Sequence, residues 1–317
     1  MSVSRKRAFQ FVLAWAALAV WYMHFREIDV PKHAARAELH HEIIAKSAPS
    51  PYRYRILVPL LAEGGARIGS GALGYDRALL FAYALLEALA IVLAVLVLYS
   101  FFANFFEPWE AFLGGVVVVV SMVVALRDHY FQPWSLANAL AFALAASLIH
   151  AGRIRSLAVL TILAAFNRET SFFIPLFYIA LSPGRTERRG RMLVIFLLLS
   201  LAWIAAYLLV RLYQGEAPYV HSLAYILRKN LEPRNLFYAL MNVTLFMGIF
   251  WYFIATGYAM APSFVKRLSL VALPYLVLLA VFGVWKEVRL LMPLYPILVP
   301  MGLSGLRAWM IARTAAG

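Results

Sequence analysis

Apolar runs of one particular length recur along this chain and decide what it can become. Stretches such as Arg77 to Phe101, Glu110 to Leu126, Met192 to Tyr213 and Leu236 to Tyr258 are almost free of charge. Helical residues rise 1.5 Å each, so ~20 of them cover the ~30 Å of a bilayer's hydrocarbon. Lipid offers no water to backbone amides, and a run of this kind must satisfy them internally, as a helix does. Ala8 to Phe25, Pro133 to His150, Leu268 to Trp285 and Leu290 to Met310 are further candidates. Of 317 residues, 64% are hydrophobic and 14% charged, an apolar surplus that a water-exposed domain does not need. The expected fold is all-α, a polytopic transmembrane bundle of about ten spanning helices plus a re-entrant or interfacial piece. Residues 1–317 read as a single transmembrane domain.

The first apolar segment follows Arg5, Lys6 and Arg7 but runs on into "WYMHFREID" without a small-residue cleavage site. It reads as an uncleaved first helix. The net charge of +14 sits mostly in short loops, which points to lipid headgroups or a phosphorylated substrate and not to nucleic acid. The chain has no cysteine, which removes disulfides, thiolate catalysis and cysteine metal sites. Lys and Arg in short loops favour the cytoplasmic side. That rule puts both termini inside and suggests a bacterial inner membrane.

Two stretches resist assignment. Ile56–Gly69 is interrupted by Pro59, Glu63, Gly64 and Gly65, and Leu157–Leu181 carries Asn167, Arg168, Glu169 and Thr170 at its middle. In one topology each spans. In the other, which the charge rule favours, the first only dips in and the second is two short helices meeting at the polar cluster. The second topology gathers "HFREID", "PYRYR", "RDHYFQPW", "FNRET" and "WKEVR" on one face, as a site for the polar headgroup of a lipid would.

Each cluster also has a plainer reading. Residues 31–47 form an amphipathic helix on the membrane surface, and its His33, His40 and His41 read as a solvated polar face rather than a metal site. Arg53 and Arg55 either snorkel to the interface or grip a phosphate. Asp128 and His129 precede a helix start, where a carboxylate often only caps. Arg168 beside Glu169 inside an apolar run is a functional pair or interhelical glue. Lys286, Glu287 and Arg289 form a site edge or a local ion pair. Glu87, within an apolar span, is expected to face a helix or cavity, with no role assigned.

In this order the clusters resemble the GT-C superfamily, integral membrane glycosyltransferases that use polyprenyl-phosphate-linked sugars. The likeness runs from Phe25 to Pro296: an acidic first outer loop with an interfacial helix, "RILVPLL", Asp128 ahead of a helix, "NRETSFFIP" and "EVRLLMPLYP". It implies inverting transfer of a sugar to a lipid, glycan or small acceptor on the extracytoplasmic face. It also implies Asp29 as base, with Glu27 and Asp128 as alternatives. Arg168 and Arg289 would hold the donor phosphate, assisted by Arg53 or Arg55, while Glu169 and Glu287 orient them and Asn167, His129 and Lys286 complete the substrate site. No Asp-x-Asp follows in the second loop, so no metal or other cofactor is assigned. The other readings are a transporter or flippase of a lipid phosphate or glycolipid, and a non-catalytic scaffold subunit.

Overall fold

The structure, a computed structural model, describes residues 3–127, 133–181 and 189–316. Asp128 and His129 lie outside these. Among the described residues no strand forms, and the ordered elements are helices joined by short turns. α1 (Val3–His24) winds into a wider π-helical turn over Phe25–Asp29, followed by α2 (His33–Ile44). α3 (Leu57–Leu73) and α4 (Tyr75–Phe102) form a hairpin. Its turn residue, Gly74, has φ +75°, a conformation that a side chain would strain. Next come α5 (Pro108–Arg127), α6 (Trp134–Ala151), α7 (Ile154–Ala165) and α8 (Phe173–Leu181). α9 (Arg189–Gln214), α10 (Leu223–Leu231), α11 (Pro233–Met247), α12 (Phe250–Gly257), α13 (Ser263–Phe282) and α14 (Tyr295–Ala316) complete the chain.

Among the described residues, seven helices are long and apolar enough to cross a membrane, or eight if α11 and α12, bent by 78° at their break, count as one span. The expectation was about ten spans; α3, α7 and α8 are shorter than the helices counted here. Leu157–Leu181 is not one helix: α7 has 12 residues and α8 has 9. Between them Arg168 is fully extended and Glu169–Phe172 makes a 3₁₀ turn. α3 has 17 residues and packs back along the first turns of α4, where Gly65 and Gly69 meet Ala82 and Ala78.

Helix association in lipid depends on close fit, because lipid tails are as apolar as leucine. The main core runs through α1, α4, α5, α6, α8, α13 and α14. Its rings meet edge to face, with centroids 5.1 Å apart for both Phe142–Phe177 and Phe173–Tyr275, a favoured aromatic geometry. The closest approach joins α12 to α14: a Cβ on Gly257 would stand 2.0 Å from the Met301 carbonyl oxygen, and one on Gly305 2.2 Å from that of Phe253. At one end of the bundle, Arg307 of α14 donates its Nε to Glu110 of α5 at 2.7 Å. Gly257→Ala is therefore expected to push α12 off α14 and destabilise the protein by ~1–3 kcal/mol, read as a lower unfolding midpoint in detergent.

Candidate functional site

Three arginines from distant parts of the sequence meet where α6 begins. Arg168 and Arg289 each donate to the Ser135 hydroxyl at 3.2 Å. Arg289 also donates to Glu287 at 2.6 Å, and Arg55 to Glu169 at 3.1 Å. The Arg55 guanidinium lies over the rings of Trp134 and Tyr52, 5.7 and 5.9 Å from their centroids. Backbone and side-chain bonds lock the frame: Asn167 donates to the Trp134 carbonyl at 2.9 Å and Asn138 to Thr170 at 3.2 Å. Trp203 donates to the Ser171 hydroxyl at 2.8 Å, and Ser171 itself donates to the Arg168 carbonyl at 2.6 Å. The group thus sets three guanidiniums against two carboxylates. Such an excess, fixed in a mostly buried frame, suits an anion with several acceptor oxygens.

A second charge centre forms where α1 ends. Asp29 is fully buried, and Arg36 of α2 donates to it. The same Arg36 guanidinium stands 3.5 Å from Glu87 of α4 and 5.0 Å from the centre of the Tyr83 ring. His24 lies 3.4 Å from Asp29 and 3.7 Å from Glu87. Ligand atoms of His24, Asp29 and Glu87 all fall within 4.8 Å of one another, a set that can hold a cation. Arg36 supplies positive charge at that point.

α2 presents polar residues inward, which departs from the expected solvated face. His33 contacts the Asp76 carbonyl at 3.0 Å, Arg36 reaches Asp29, and His40 contacts Glu63 at 3.0 Å and Tyr83 at 2.9 Å. Only His41 is exposed among its three histidines. Glu63 also accepts from Arg67 and from Tyr75, each at 2.5 Å. Burial raises its pKa, but these hydrogen bonds outweigh it and hold Glu63 down at about 2. Burial likewise lowers His40, against the pull of Glu63.

Between the two centres runs an apolar groove of about 230 Å³, walled by α3, α4, α6 and α7. Leu57, Leu61, Leu89, Leu93, Leu140 and Leu163 line it, and Glu87 and Asn167 are its polar members. Asn167 ties the groove to the arginine group and Glu87 to the Asp29 group.

The expected residues divide accordingly. Arg55, Asn167, Arg168, Glu169, Glu287 and Arg289 come together. Arg53 does not join them: it donates to the backbone carbonyls of Ala48, Gln214 and Glu216, stapling its loop to the end of α9. Lys286 is half-buried, and its carbonyl accepts from Asn242 at 2.8 Å. Glu27 is exposed on the π-helical turn, while Asp29 is sealed beneath Arg36. Sequence reasoning missed Arg36, Ser135, His24 and the role of Glu87. Glu87 alone carried a usable signal, as a carboxylate inside an apolar span.

No family model, curated protein or solved structure matches the chain.

Two outcomes follow from these charges. Removing Arg36 leaves two buried carboxylates uncompensated, so Arg36→Ala is expected to destabilise the protein by ~3–5 kcal/mol, measured by chemical unfolding in detergent. Glu63 is depressed in the folded state, so its stabilisation is present above its ordinary carboxylate pKa and disappears as pH falls through about 2. The difference in thermal midpoint between wild type and Glu63→Gln is expected to be constant near neutrality and to shrink as pH drops from 4.5 to about 2.

Proposed function

We propose that this chain is an integral membrane glycosyltransferase of the GT-C kind. It would move a sugar from a polyprenyl-phosphate donor to a lipid, glycan or small acceptor, with inversion. The observation that carries the reading is the nearness of a cation-rich cluster to an apolar groove. Arg55, Arg168 and Arg289 gather beside Asn167, which lines the groove, and the Asp29 group reaches it through Glu87. A lipid phosphate has this shape, an anionic head on an apolar chain.

The chemistry follows from the charges. A carboxylate takes the proton of the acceptor hydroxyl as its oxygen bonds to the anomeric carbon, and the bond to the phosphate oxygen breaks. The electron pair leaves with the phosphate, and the arginines stabilise the charge that develops there. Their frame is set before any ligand arrives, which spares reorganisation during the reaction.

Charge distribution supports an orientation. The helix ends away from the arginine group carry Arg5, Lys6, Arg7, Arg153, Arg155, Arg189, Arg191, Lys266, Arg267 and Arg307, with Glu107 and Glu110 as acids among the described residues there. The opposite face carries more Lys and Arg in all, but most of them lie in the longer segments 26–77 and 211–234; counted over short loops, where the positive-inside rule applies, we read the first face as cytoplasmic. The arginine site then opens to the extracytoplasmic face, with both termini inside.

Arg168→Ala is expected to weaken binding of undecaprenyl phosphate by about 10- to 100-fold, the loss of one or two charge-assisted hydrogen bonds. Binding to protein in nanodiscs would measure it, and unchanged affinity removes the phosphate assignment. Single cysteines at Ser222 and Gly190 are expected to label from opposite sides of sealed vesicles, with Ser222 reached from the extracytoplasmic side.

A further inference from the structure

The short helix α10 divides its faces differently from the spanning helices. Ser222 caps it, accepting from the Tyr225 amide at 3.2 Å, and Pro233 opens α11 just beyond its end. At ~100° per residue, Leu223, Leu227 and Leu231 fall within an arc of ~80°. All three are exposed, at 43%, 36% and 63%. On one flank of this stripe the buried Asn230 donates to the Gly283 carbonyl at 2.8 Å and accepts from the Trp285 amide at 3.1 Å, which pins α10 to the segment after α13. On the other flank Arg228 is exposed. Tyr225 and Lys229 take the far side, with the Lys229 ammonium 5.4 Å from the centre of the Tyr225 ring.

One helix thus presents a pinned edge, an apolar stripe and a polar face, the division of a helix that lies in a membrane interface. Its neighbours fix the depth. α10 links the end of α9 to the start of α11 and is pinned beside the end of α13, so it sits level with the ends of two spans and the start of the bent pair. Tyr213, Tyr219, Tyr225 and Tyr238 are exposed around it, as aromatic residues are at a bilayer boundary. From Leu223 to Asn235 the bases are Arg228, Lys229 and Arg234, and the one acid is Glu232, which accepts from Asn235 at 2.8 Å.

We propose that α10 rests in the headgroup layer, with Leu223, Leu227 and Leu231 among acyl chains and with Arg228, joined by Arg234 from the first turn of α11, holding the phosphate of an anionic membrane lipid. This surface is separate from the arginine group at Ser135 and does not depend on the transferase reading. Arg228 stands at the edge of the leucine stripe, where its methylenes stay on apolar ground while the guanidinium reaches headgroup phosphate. Part of the positive charge in segment 211–234 then has a lipid partner.

The chain has no cysteine, so the full chain carrying Leu227→Cys takes a single bimane label. It is placed in nanodiscs of phosphatidylcholine in which a minor fraction of the lipid is brominated on its acyl chains, as either phosphatidylglycerol or phosphatidylcholine. Bromine quenches a fluorophore that it touches. Both lipids are expected to quench, and phosphatidylglycerol to be enriched beside the label by about 5-fold for each arginine engaged. Arg228→Gln with Arg234→Gln is expected to make the two lipids equal, whereas Arg228→Lys with Arg234→Lys keeps the preference, which separates charge from folding. A label at Tyr225→Cys is expected to be quenched by aqueous iodide and to escape the brominated chains. Inorganic phosphate, compared with chloride at equal ionic strength, is expected to leave the preference unchanged. If phosphate alone abolishes it, the arginines take free phosphate and the lipid assignment falls. Equal quenching by the two lipids with both arginines present overturns the headgroup contact. No quenching at Leu227 by either lipid shows the stripe covered by protein or facing water, and overturns the whole inference.

Discussion

A guanidinium that is 2% exposed, as Arg36 is, stands in an apolar bundle only with its counter-charges in place. Asp29 from the end of α1 and Glu87 from α4 supply them, and the pairing dictates the local architecture. α1 must finish with a widened turn to bring Asp29 under α2. α4 must place a carboxylate at the same depth. α2 must turn a polar face inward, where His33 and His40 add grips on the α3–α4 hairpin. Each element is fixed by charge before it is fixed by shape, and this distinguishes the region from the rest of the bundle, where interlocking rings and glycines set the spacing.

The arginine group shows the complementary case. Its members arrive from the loop before α3, from the junction of α7 and α8, and from the 3₁₀ segment that feeds α14. Their charges are only partly matched. The proposed chemistry at a lipid phosphate fits this inequality, since such a ligand itself would bring the missing negative charge. The groove touches both centres: Asn167 borders the cationic one, and Glu87 the one where Arg36 faces two carboxylates.

Much of this was legible in the sequence, and the legible part has a physical reason. Bilayer thickness fixes the length of an apolar run, so α4, α5, α9 and α13 could be read directly. A strong base and acid inside such a run, Arg168 and Glu169, likewise announced a break. The break leaves α7 and α8 each too short to cross, as the topology with two short helices expects. Interior contacts were beyond reach. The spacing of His33, Arg36 and His40 is that of one helix face, which looks the same whether water or protein covers it. The partners of His33 and His40, namely Asp76, Tyr83 and Glu63, lie 23 to 43 residues further on, and Arg36 pairs with Asp29 and Glu87. Arg53 was indistinguishable from Arg55 until the carbonyls of Gln214 and Glu216 were seen to hold it.

Ser135 sets a condition on anything that enters the arginine site. Its hydroxyl oxygen has two lone pairs, and Arg168 and Arg289 both donate to it. The resting site is therefore partly self-solvated: Arg168 and Arg289 already engage Ser135, while the Nε groups of Arg55 and Arg168 donate to no protein atom among the described residues. A phosphate that arrives does not meet bare cations. It trades places with a serine oxygen and two carboxylates, so recognition is an exchange reaction whose net gain is the difference between incoming and outgoing bonds. One hydroxyl serves both guanidiniums. The junction of α7 and α8 and the segment leading to α14 are thereby coupled through a single oxygen atom.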